Sequence, residues 1–550
     1  MGGMNMVPLE QIEIDDAQWR QNHQRVDIAG REAAFAALIA ELGQEQPLTG
    51  KAYRRVMGRY ARQGLPWMSK DQVLQVYREL CQGEGMPADS ALITHLQMKP
   101  TRTQAGVTTV TVLTKPYPCP GQCIFCPTDV RMPKSYLHDE PGARRAERHA
   151  FDPYEQTAAR LAALQNIGHP TQKIELLILG GTWSSYRRDY QEWFVQRCLD
   201  ALNGEPSVNL AQAQNLNARS RCRNVGLVVE TRPDHIDAEE LRWFRYLGVT
   251  KVQIGIQSLD DRILALNQRG HDVETTRQAI RLLRLAGYKI HAHWMPNLLG
   301  ATPDGDIADF ARLWDDPAIR PDELKIYPCM LLENADLYAY WQRGEYQPYT
   351  EAEALRVLVA CKQQVPPWVR INRVVRDIPT TNVVAGMKKA NLRQMAQQQM
   401  AQMGQPCRCI RCREIRRERV TAAELSLRQA QYQTDATMEY FLSFERANGR
   451  IAGFLRLSLP QAGAALPLPE LAGHAMIREV HVYGPALTLG ESSQGEAQHM
   501  GLGRALVQAA RRLAQAHGYQ RLAVISAIGT RRYYQRLGFA LDGLYMTTAL

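Results

Sequence analysis

The sequence predicts an α/β protein in which a helical N-terminal segment is followed by a partial TIM-like βα barrel, a cysteine- and arginine-rich linker and a smaller α/β domain. Three observations predict this order. Short β-rich runs alternate with longer helical runs between about residues 91 and 375, which is typical of parallel βαβ units. A tight group of cysteines precedes most of these runs, and a pattern of strands, glycine loop and helix replaces the alternation after about residue 420. We therefore expect domains at residues 1–90, 91–375, 376–420 and 421–550.

The composition narrows the class of protein before any motif is considered. The chain has 550 residues, enough for several domains that each have a core. Lys and Arg number 66 against 56 Asp and Glu, and the formal charge of +10 favours a polyanionic partner. The chain has 11 cysteines but no signal peptide and no apolar run of membrane-spanning length. These features predict a soluble protein of the reducing cytoplasm with no membrane partner.

The first cysteine group lies in the stretch KPYPCPGQCIFCP, which contains Cys119, Cys123 and Cys126. Three thiolates at this spacing can bind three irons of a [4Fe-4S] cluster, and because no fourth cysteine is near in sequence, one iron stays open. An open iron can chelate S-adenosylmethionine (SAM), whose reductive cleavage yields a 5′-deoxyadenosyl radical. The spacing is the radical-SAM pattern, and Phe125 supplies the aromatic residue that usually precedes the last ligand. A zinc knuckle is the alternative.

Six β-rich runs are the candidate strands of the barrel. They are GVTTVTVL from Gly106, IELLILGG from Ile174, VGLVVET from Val225, VTKVQIGIQS from Val249, YKIHAHWM from Tyr288 and ELKIYP from Glu323. In a βα barrel the chemistry lies at the carboxyl ends of the strands. Polar or glycine residues occupy those ends here: Gly180, Gly181, Thr182, Glu230, Arg232 and Gln257. Because the series follows the cysteine motif, we interpret it as a cradle for SAM, with a plain tight turn as the alternative for the glycine pair.

The N-terminal segment contains a basic helical run, KAYRRVMGRYARQG. Its cations recur at spacings of three and four residues with no acid among them: Lys51, Arg54, Arg55, Arg59 and Arg62. Such a helical face suits contact with successive phosphates of a nucleic acid. A solvated basic face without a partner is the alternative.

The linker contains a second cysteine group, Cys407, Cys409 and Cys412. This group predicts a zinc site whose fourth ligand is either Cys329 or a water, and a second iron-sulfur cluster is the alternative. The surrounding sequence is strongly basic and predicts a phosphate-binding surface, which favours nucleic acid as the partner. Its cations are Arg370, Arg373, Arg376, Lys388, Lys389, Arg393, Arg408, Arg411, Arg413, Arg416, Arg417 and Arg419.

The C-terminal domain contains strand-like runs, the loop QHMGLG and the helical run RALVQAARRLAQAHG. A loop that leads into a helix exposes backbone amides, here those of Gly501 to Gly503, at the positive end of the helix, which suits a phosphate group. Gln498, Gly501 and Gly503 reproduce the glutamine-x-x-glycine-x-glycine pattern of GNAT acetyltransferases. The pattern predicts an acetyl-coenzyme A (acetyl-CoA) site, and a small α/β domain with a glycine turn is the alternative.

A radical-SAM barrel and a GNAT domain in one chain resemble the catalytic subunit of the Elongator complex in its stand-alone bacterial or archaeal form. Matching stretches include MPKSYLHDEPGARRAERHAFDPYEQTAARL, PPWVRINRVVRDIP, CRCIRCREI and RRYYQRLGF. The resemblance implies carboxymethylation of carbon 5 of the wobble uridine of tRNA, with SAM and acetyl-CoA as co-substrates. It also implies a grip on the anticodon stem-loop and a need for an electron donor. The sequence leaves open whether the chain forms a homodimer.

The same resemblance implies roles for individual residues. The positions that match acetyl-CoA contacts of the family are Lys173, Arg478, Glu479, Val480, His481, Gly501, Leu502, Gly503 and Tyr533. We expect Tyr533 and Tyr534 to position or protonate the thioester, with core packing as the alternative for one of them. Some stretches depart from the family: CPTD stands for CPGG, MPNLLG for MPGLPG and ISAIG for ISGVG. We expect the lost glycines to alter loop geometry near the cofactors.

Two functions from other classes are compatible with the same motifs. One is a protein lysine acetyltransferase with a structural iron-sulfur cluster, which would acetylate a peptide without a reductant. The other is a tRNA-binding scaffold without catalysis, which would bind neither acetyl-CoA nor SAM.

Overall fold

The computed structural model describes residues 26–45, 48–83, 86, 89–98, 103, 105–389, 391–416, 418, 420–484 and 501–550. The chain divides into two compact units. The first contains the N-terminal part through residue 103 together with residues 159–171, and the second contains the rest of the chain. No helix among the described residues combines the length and the apolar character that a membrane span requires.

The first unit is helical, as the sequence predicts. Its helices are Glu32–Gln44, Gly50–Arg62, Lys70–Gly83 and Ser90–Leu96. Thr49 caps the second of these helices, because its hydroxyl accepts a hydrogen bond from the amide of Ala52 (3.1 Å). Phe35, Val56 and Leu74 from three different helices are completely buried in one shared core.

The first sheet of the second unit is parallel throughout and forms a half barrel. Its strands are, in spatial order, β1 (Thr108–Leu113), β2 (Lys173–Leu179), β3 (Arg223–Thr231), β4 (Lys251–Gln257), β5 (Lys289–Trp294), β6 (Glu323–Ile326) and, after the separate short strand β7 (Leu331–Leu332), β8 (Arg370–Val374). All six strands predicted from the sequence are confirmed. The seventh, β8, comes from the run PPWVRINRVVRDIP, whose arginines the sequence had assigned to a basic surface.

Helices connect the parallel strands. They are Pro141–Arg148, Pro153–Asn166, Arg188–Asn203, Leu210–Asn217, Ala238–Leu247, Asp261–Leu266, Val273–Leu285 and Pro303–Asp315. Several begin at an aspartate whose side chain accepts hydrogen bonds from the first helical amides, as Asp237, Asp260 and Asp272 do. The helices Leu337–Gln342 and Glu351–Gln364 lie between β6 and β8. The linker between the two large sheets contains the helices Leu392–Gln402 and Ile410–Arg413 and the strand β9 (Val383–Ala385), which pairs with β7.

The second large sheet is antiparallel except for one parallel pair, β13 with β14. Its strands are, in chain order, β10 (Ser426–Gln433), β11 (Thr437–Glu445), β12 (Ile451–Pro460), β13 (His474–Val482), β14 (Arg521–Val524), β15 (Ala540–Asp542) and β16 (Tyr545–Ala549), with β16 between β14 and β15. The helix Leu502–Ala516 packs on this sheet, and Leu506 of the helix is buried against Leu455 and Ile477 of the strands. The short helix Arg531–Gln535 follows β14.

Buried ion pairs join the second sheet to the amino ends of the barrel strands. The register between β12 and β13 pairs Arg456 with Glu479 and Leu457 with Ile477, so Arg478 bulges out of the ladder. The bulge aims the neighbouring Arg478 and Glu479 in the same direction, and Arg478 binds Asp322, the residue before β6. The barrel therefore has the C-terminal domain at the amino ends of its strands and the first cysteine group beyond their carboxyl ends.

Candidate active sites and metal centre

The first cysteine group lies on a loop after the carboxyl end of β1. The amide of Gly121 donates a hydrogen bond to the sulfur of Cys119 (3.5 Å), and the hydroxyl of Thr182 lies 3.5 Å from the same sulfur. Burial, together with the nearby Cys123, raises the pKa of Cys126 to about 12. The three thiols therefore interact electrostatically at the end of the barrel where a radical-SAM cluster is expected.

The spacing of the sulfurs argues against a zinc knuckle at this loop. Two thiolates on one zinc ion stand at most about 4.6 Å apart, because each Zn–S bond is about 2.3 Å long. Within the part of the chain that the structure describes, the only group of three or more metal-ligating side chains that all approach within 4.8 Å is Cys407, Cys409 and Cys412. The sulfurs of Cys119, Cys123 and Cys126 therefore do not all lie within 4.8 Å of one another, which suits a larger four-iron cluster.

Backbone conformation and close packing account for the glycine pair after β2. Gly180 and Gly181 have φ angles of +149° and +87°. A Cβ atom on Gly180 would stand 1.8 Å from the hydroxyl of Thr114, so any side chain there would clash. The turn places Thr182 beside the cysteine loop. This contact is what the glycine pair contributes to the site.

Glu230 and Gln257 lie at the carboxyl ends of β3 and β4. Glu230 accepts a hydrogen bond from the hydroxyl of Tyr136 (3.3 Å), and burial raises the pKa of Glu230. Gln257 has a left-handed φ of +65°, and its buried side-chain oxygen has no hydrogen-bond partner among the described atoms. An orphaned buried amide oxygen at this end of the barrel fits a polar ligand such as SAM.

Two arginines lie under the cysteine loop. Arg232, predicted from the sequence, forms an ion pair with Asp234 (2.8 Å) and donates to the backbone carbonyl of Arg269 (2.9 Å). Arg269 was not predicted from the sequence, and its Nη1 donates to the sulfur of Cys123 (3.3 Å). Arg269 belongs to the run NQRGH, which matches no motif that we used. The contact with Cys123 spans 146 positions, and no local pattern reveals it.

The inside of the barrel is lined by polar side chains between the two ends. The buried inward positions of β4, β5 and β6 include Gln253, His291, His293, Glu323 and Lys325, together with Lys251, which pairs with Glu323 (3.2 Å). Barrel interiors are usually filled by branched apolar side chains, so this polar column is a specific feature of the site. Burial lowers the pKa of Lys325 to about 7 and lowers the pKa of both histidines well below their ordinary range.

The polar column connects the C-terminal domain with the cysteine end of the barrel. At the amino end, Glu323 lies 3.4 Å from Lys289, which itself binds Glu479 of β13. Glu323 also lies 3.4 Å from His291, whose ring stacks edge-on to that of His293 with centroids 5.6 Å apart. At the carboxyl end, His293 lies 4.0 Å from Glu230.

The helix predicted after the glycine loop is present in the C-terminal domain, and the phosphate cradle at its amino end stays a prediction. Gly501 occupies the N-cap of the helix Leu502–Ala516 with φ +73°, and the first amides of a helix have no partner within it. A Cβ atom on Gly503 would stand 2.6 Å from the hydroxyl of Tyr533, so this glycine and this tyrosine lie against each other. Gln498 lies outside the described residues, and its role stays a prediction.

The two adjacent tyrosines have different environments. Tyr534 is buried in the core beside Phe539, with ring centroids 5.7 Å apart. Tyr533 is partly exposed beside the cradle, and burial raises its pKa. Core packing was the alternative predicted for one of the two tyrosines, and it accounts for Tyr534. Tyr533 lies beside Gly503, and its predicted contact with the thioester stays a prediction.

Two charged side chains on β13 form ion pairs with residues of the barrel. Arg478 is completely buried and donates to Asp322 and to Glu439 (2.7 Å each). Glu479 accepts from Arg456 (2.9 Å) as well as binding the barrel. Only the backbone at these two positions is left to contact a coenzyme, so the implied roles of Arg478 and Glu479 are confined to their main chain.

The other implied acetyl-CoA residues lie near the same end of the barrel. Val480 packs against the core of the C-terminal domain, and a ring nitrogen of His481 lies 3.0 Å from the carbonyl of Ala105. Burial lowers the pKa of His481 to about 4. Lys173 begins β2 beside Arg223, and burial together with that arginine lowers the pKa of Lys173. Val480 and His481 belong to β13 of the C-terminal sheet and Lys173 to the amino end of β2, and their contact with acetyl-CoA stays a prediction.

The second cysteine group has the geometry of a single-ion site. The three sulfurs lie within 4.8 Å of one another, and Cys407 and Cys409 are buried. Cys329 does not join them, because it is buried in a different cluster beside Tyr346, near the carboxyl end of the barrel. The suggestion of Cys329 as the fourth ligand is therefore wrong.

Other polar groups surround this second group instead. The amide of Gln397 donates to the sulfur of Cys412 (3.4 Å). The side chain of Lys362 is completely buried, and its nitrogen has no hydrogen-bond partner among the described atoms. Hydrogen bonds from the neighbouring cysteines, with the charge of Lys362, lower the pKa of Cys409. The surroundings thus favour the thiolate of Cys409, the form that binds a metal ion, whereas hydrogen bonds with the other two cysteines raise the pKa of Cys407.

Comparison with known proteins identifies the family to which the chain belongs. Residues 117–313 match the Radical SAM superfamily, residues 321–402 the Radical SAM C-terminal domain and residues 410–539 the GNAT acetyltransferase family. The chain is 43% identical to a tRNA uridine(34) acetyltransferase of Dehalococcoides mccartyi over 82% of its own length and 98% of that protein. The chain belongs to the family of the tRNA uridine(34) acetyltransferases and Elongator complex protein 3.

Other family members support this assignment. Elongator complex protein 3 of Danio rerio is 35% identical over 84% of this chain and 87% of that protein. The solved structure of archaeal Methanocaldococcus infernus Elp3 with an N-terminal deletion has a TM-score of 0.71 and 37% identity, and covers 81% of this chain and 100% of that one. Membership in the radical-SAM superfamily implies a [4Fe-4S] cluster and SAM, and the GNAT match implies acetyl-CoA.

The departures from the family text have small structural effects. Asn297, which replaces a glycine, adopts a left-handed φ of +67°, a conformation that asparagine tolerates better than most residues. Ala527, also in place of a glycine, has φ −72° and needs no glycine. The backbone at these two positions is compatible with the residues present, and the expectation that lost glycines alter the loops stays a prediction.

The linker is less basic at its surface than its sequence indicates. Arg370 binds Glu414 (2.9 Å), and Arg376 binds Glu140 (2.7 Å). Arg413 also forms an ion pair inside the fold (3.2 Å). The exposed linker cations among the described residues are Lys388, Lys389, Arg408 and Arg416. Arg417 and Arg419 lie outside the described residues. The predicted basic surface is therefore reduced to a few positions.

The basic helix Gly50–Arg62 presents its cations to solvent. Lys51, Arg54, Arg55, Arg59 and Arg62 are all exposed, while the apolar side of the helix is buried. Arg59 binds Glu41 of the preceding helix (2.6 Å), and Arg55 similarly binds Glu45. Tyr53 belongs to the core, where its hydroxyl donates to a backbone carbonyl (2.9 Å).

Proposed function

We propose that this chain installs a carboxymethyl group on carbon 5 of the wobble uridine of tRNA, using SAM and acetyl-CoA. Relatives that cover nearly the whole barrel and C-terminal domain are named for their action on uridine 34 of tRNA. The observation that carries the proposal is that the cysteine loop and the acetyl-CoA cradle lie in one compact unit, joined by a polar barrel interior. Two independent activities would not require this connection.

The residues of the chain have distinct roles in the proposed reaction. When bound, the cluster and SAM supply a radical that can remove hydrogen from a carbon without an acidic or basic handle. Cys119, Cys123 and Cys126 hold three irons and leave one position open for SAM. The amides after Gly501 hold the pyrophosphate of the coenzyme, and Tyr533 orients its thioester end.

The polar column supports the use of both co-substrates in one reaction. Gln253, His293 and Lys325 are buried and share hydrogen bonds through the side-chain oxygen of Gln253. A polar interior can accommodate a polar acyl group between the two ends of the barrel at lower desolvation cost than an apolar core. We assign to these residues the positioning of the acyl chain between the two sites.

We also propose that the second cysteine group binds zinc through Cys407, Cys409 and Cys412. The close spacing of the sulfurs supports a single ion, and the site stabilises the linker rather than taking part in the chemistry. Metal analysis of the purified protein tests this: Cys409→Ser should lose about one zinc ion per chain. Cys329→Ser should retain it. Equal zinc in the Cys409 variant and the parent would contradict the assignment.

The remaining parts of the proposal concern partners and compartment. Exposed cations on the helix Gly50–Arg62 and in the linker support binding of the tRNA anticodon arm, from which the target base must leave its stack. The cluster requires a one-electron donor. All cysteines of the described residues are free, which supports a reducing compartment such as the cytoplasm.

The decisive experiment combines reduced, cluster-loaded protein, tRNA, SAM and acetyl-CoA, and analyses the wobble nucleoside by mass spectrometry. A gain of a carboxymethyl group on uridine supports the proposal. Cys123→Ser should abolish 5′-deoxyadenosine formation, and Gly503→Glu should abolish acetyl-CoA binding by clash and by repulsion of the pyrophosphate. Acetylated peptide formed without reductant would favour a lysine acetyltransferase, and failure to bind either co-substrate would favour a scaffold.

A further inference from the structure

We propose that Arg269, assisted by Arg232, raises the reduction potential of the cluster held by Cys119, Cys123 and Cys126. The inference rests on the proposed function, because a cluster must bind to these cysteines. It concerns a different property, which is how readily that cluster accepts the electron with which the reaction begins.

Arg269 is placed for this role by direct contact. Its Nη1 donates to the sulfur of Cys123 (3.3 Å), and its Nη2 donates to the backbone carbonyl of Gly255 on β4 (2.7 Å). The side chain is buried, with 6% of its surface exposed, and it forms no ion pair with an acid among the described residues. No acid therefore pairs directly with this guanidinium, although its charge also acts on Glu230.

A glycine beside each of the two guanidinium groups leaves the space that the group occupies. A Cβ atom on Gly255 would stand 2.8 Å from Nη2 of Arg269, and a Cβ atom on Gly121 would stand 2.2 Å from Nη1 of Arg232. Neither glycine has a positive φ, so the space and not the backbone conformation explains the absence of a side chain. Nη1 of Arg232 is buried and has no hydrogen-bond partner among the described atoms.

The direction of the effect follows from charge. On reduction the cluster gains one electron, no bond is formed or broken, and the electron comes from an external one-electron donor. Hydrogen bonds to the ligand sulfurs and nearby positive charge stabilise the reduced, more negative state more than the oxidised state. Burial strengthens both effects, because the surroundings are less polar than water. Arg269 and Arg232 therefore make the cluster easier to reduce.

The test is a redox titration of the cluster, followed by the electron paramagnetic resonance signal of the reduced state. Arg269→Gln should shift the midpoint potential to a more negative value than that of the parent. Gly255→Ala should shift it in the same direction, because the added methyl group displaces the flexible end of Arg269 while leaving its charge in the chain. The methyl group also meets the amide nitrogen of Gln257 (2.9 Å), but that side chain carries no charge. Arg262→Gln is the matched control, since Arg262 lies in the same helix-and-turn segment but is exposed and bonds to a backbone carbonyl far from the sulfurs.

A variant that should shift the midpoint potential in the opposite direction makes the test more specific. Asp234 forms an ion pair with Arg232 (2.8 Å), and Asp234→Asn removes the negative charge that offsets this arginine. The midpoint potential should then become more positive. Parent-like potentials in both Arg269→Gln and Gly255→Ala would overturn the inference while leaving the proposed function intact. A parent protein that binds no cluster would overturn the proposed function itself. If Arg269→Gln fails to assemble a cluster, Gly255→Ala decides the outcome.

Discussion

Arg478 and Asp322 form a bidentate ion pair, in which two guanidinium nitrogens each lie 2.7 Å from a different carboxylate oxygen. Arg478 belongs to the C-terminal sheet, whereas Asp322 precedes the barrel strand β6. Although burial acts in the opposite direction, the guanidinium groups of Arg478 and Arg456 lower the pKa of Asp322. The pair therefore fixes the acetyl-CoA domain to the amino end of the barrel through fully ionised groups.

Loss of one partner of this buried pair should be costly. Asp322→Ala leaves Arg478 buried without its main acid, and we expect the free energy of unfolding to fall by about 3–5 kcal/mol. Urea unfolding measures the change. Arg242→Ala provides the control, because Arg242 pairs with Glu470 between the same domains at 2.8 Å but is 51% exposed, and it should cost less than about 1 kcal/mol. Equal effects of the two substitutions would contradict this account.

The role of Arg478 also shows what sequence reasoning can and cannot supply. The six strands and both cysteine groups were predictable, because periodicity and ligand spacing are local properties of the chain. The partner of Arg478 lies 156 positions away, and no local pattern reveals it. For the same reason the sequence predicted a basic surface for the linker arginines, whereas Arg370 and Arg376 bind distant acids inside the fold.

The polar column gives a prediction about coupling. Lys325→Met should leave SAM cleavage and acetyl-CoA affinity near parent values, because neither cofactor cradle includes Lys325. The tRNA product should fall by about tenfold to a hundredfold, since misplacement of a reacting group by about 1 Å can lower a rate by about a hundredfold. Lys388→Met, at an exposed lysine, is the control. Product and 5′-deoxyadenosine falling in the same proportion would show that Lys325 serves the SAM site instead.

The contact between Gly503 and Tyr533 predicts different effects for the two adjacent tyrosines. Tyr533→Phe removes the hydroxyl beside the cradle and should lower acyl transfer at least about tenfold while acetyl-CoA affinity changes little. Tyr534→Phe keeps the core filled and should leave acyl transfer near the parent rate. Calorimetry with the coenzyme and single-turnover kinetics separate binding from chemistry. A larger loss in the Tyr534 variant would reverse the assignment of the two residues.

His481 predicts a pH dependence of stability. Burial lowers its pKa to about 4 in the folded chain, compared with about 6.5 when unfolded. Between these values the unfolded state binds a proton that the folded state does not, so stability is lost as the pH falls from about 6.5 to 4. His481→Gln should reduce this loss by about 2 to 3 kcal/mol. Urea unfolding of parent and variant at pH 7 and pH 4.5 checks the difference, and parallel pH profiles would contradict it.

The basic helix Gly50–Arg62 gives a prediction about tRNA binding. Lys51, Arg54 and Arg62 are exposed and form no ion pair with the described residues, whereas Arg55 and Arg59 bind acids of the preceding helix. Each phosphate contact adds about 0.7 to 0.9 to the slope of log affinity against log salt. Replacement of the three unpaired cations by glutamine should therefore flatten this slope by about two units.

The paired arginines of the same helix supply the matched control. Replacement of Arg55 and Arg59 by glutamine removes two charges, but each charge is already offset by a glutamate, so the slope should change less than in the triple variant. Acetyl-CoA affinity should be unchanged in both variants, because the cradle lies in the other compact unit. An unchanged slope in the triple variant would mean that this helix is a solvated face. The phosphate contacts would then have to come from other surfaces, for which the exposed linker cations Lys388, Lys389, Arg408 and Arg416 are the next positions to neutralise.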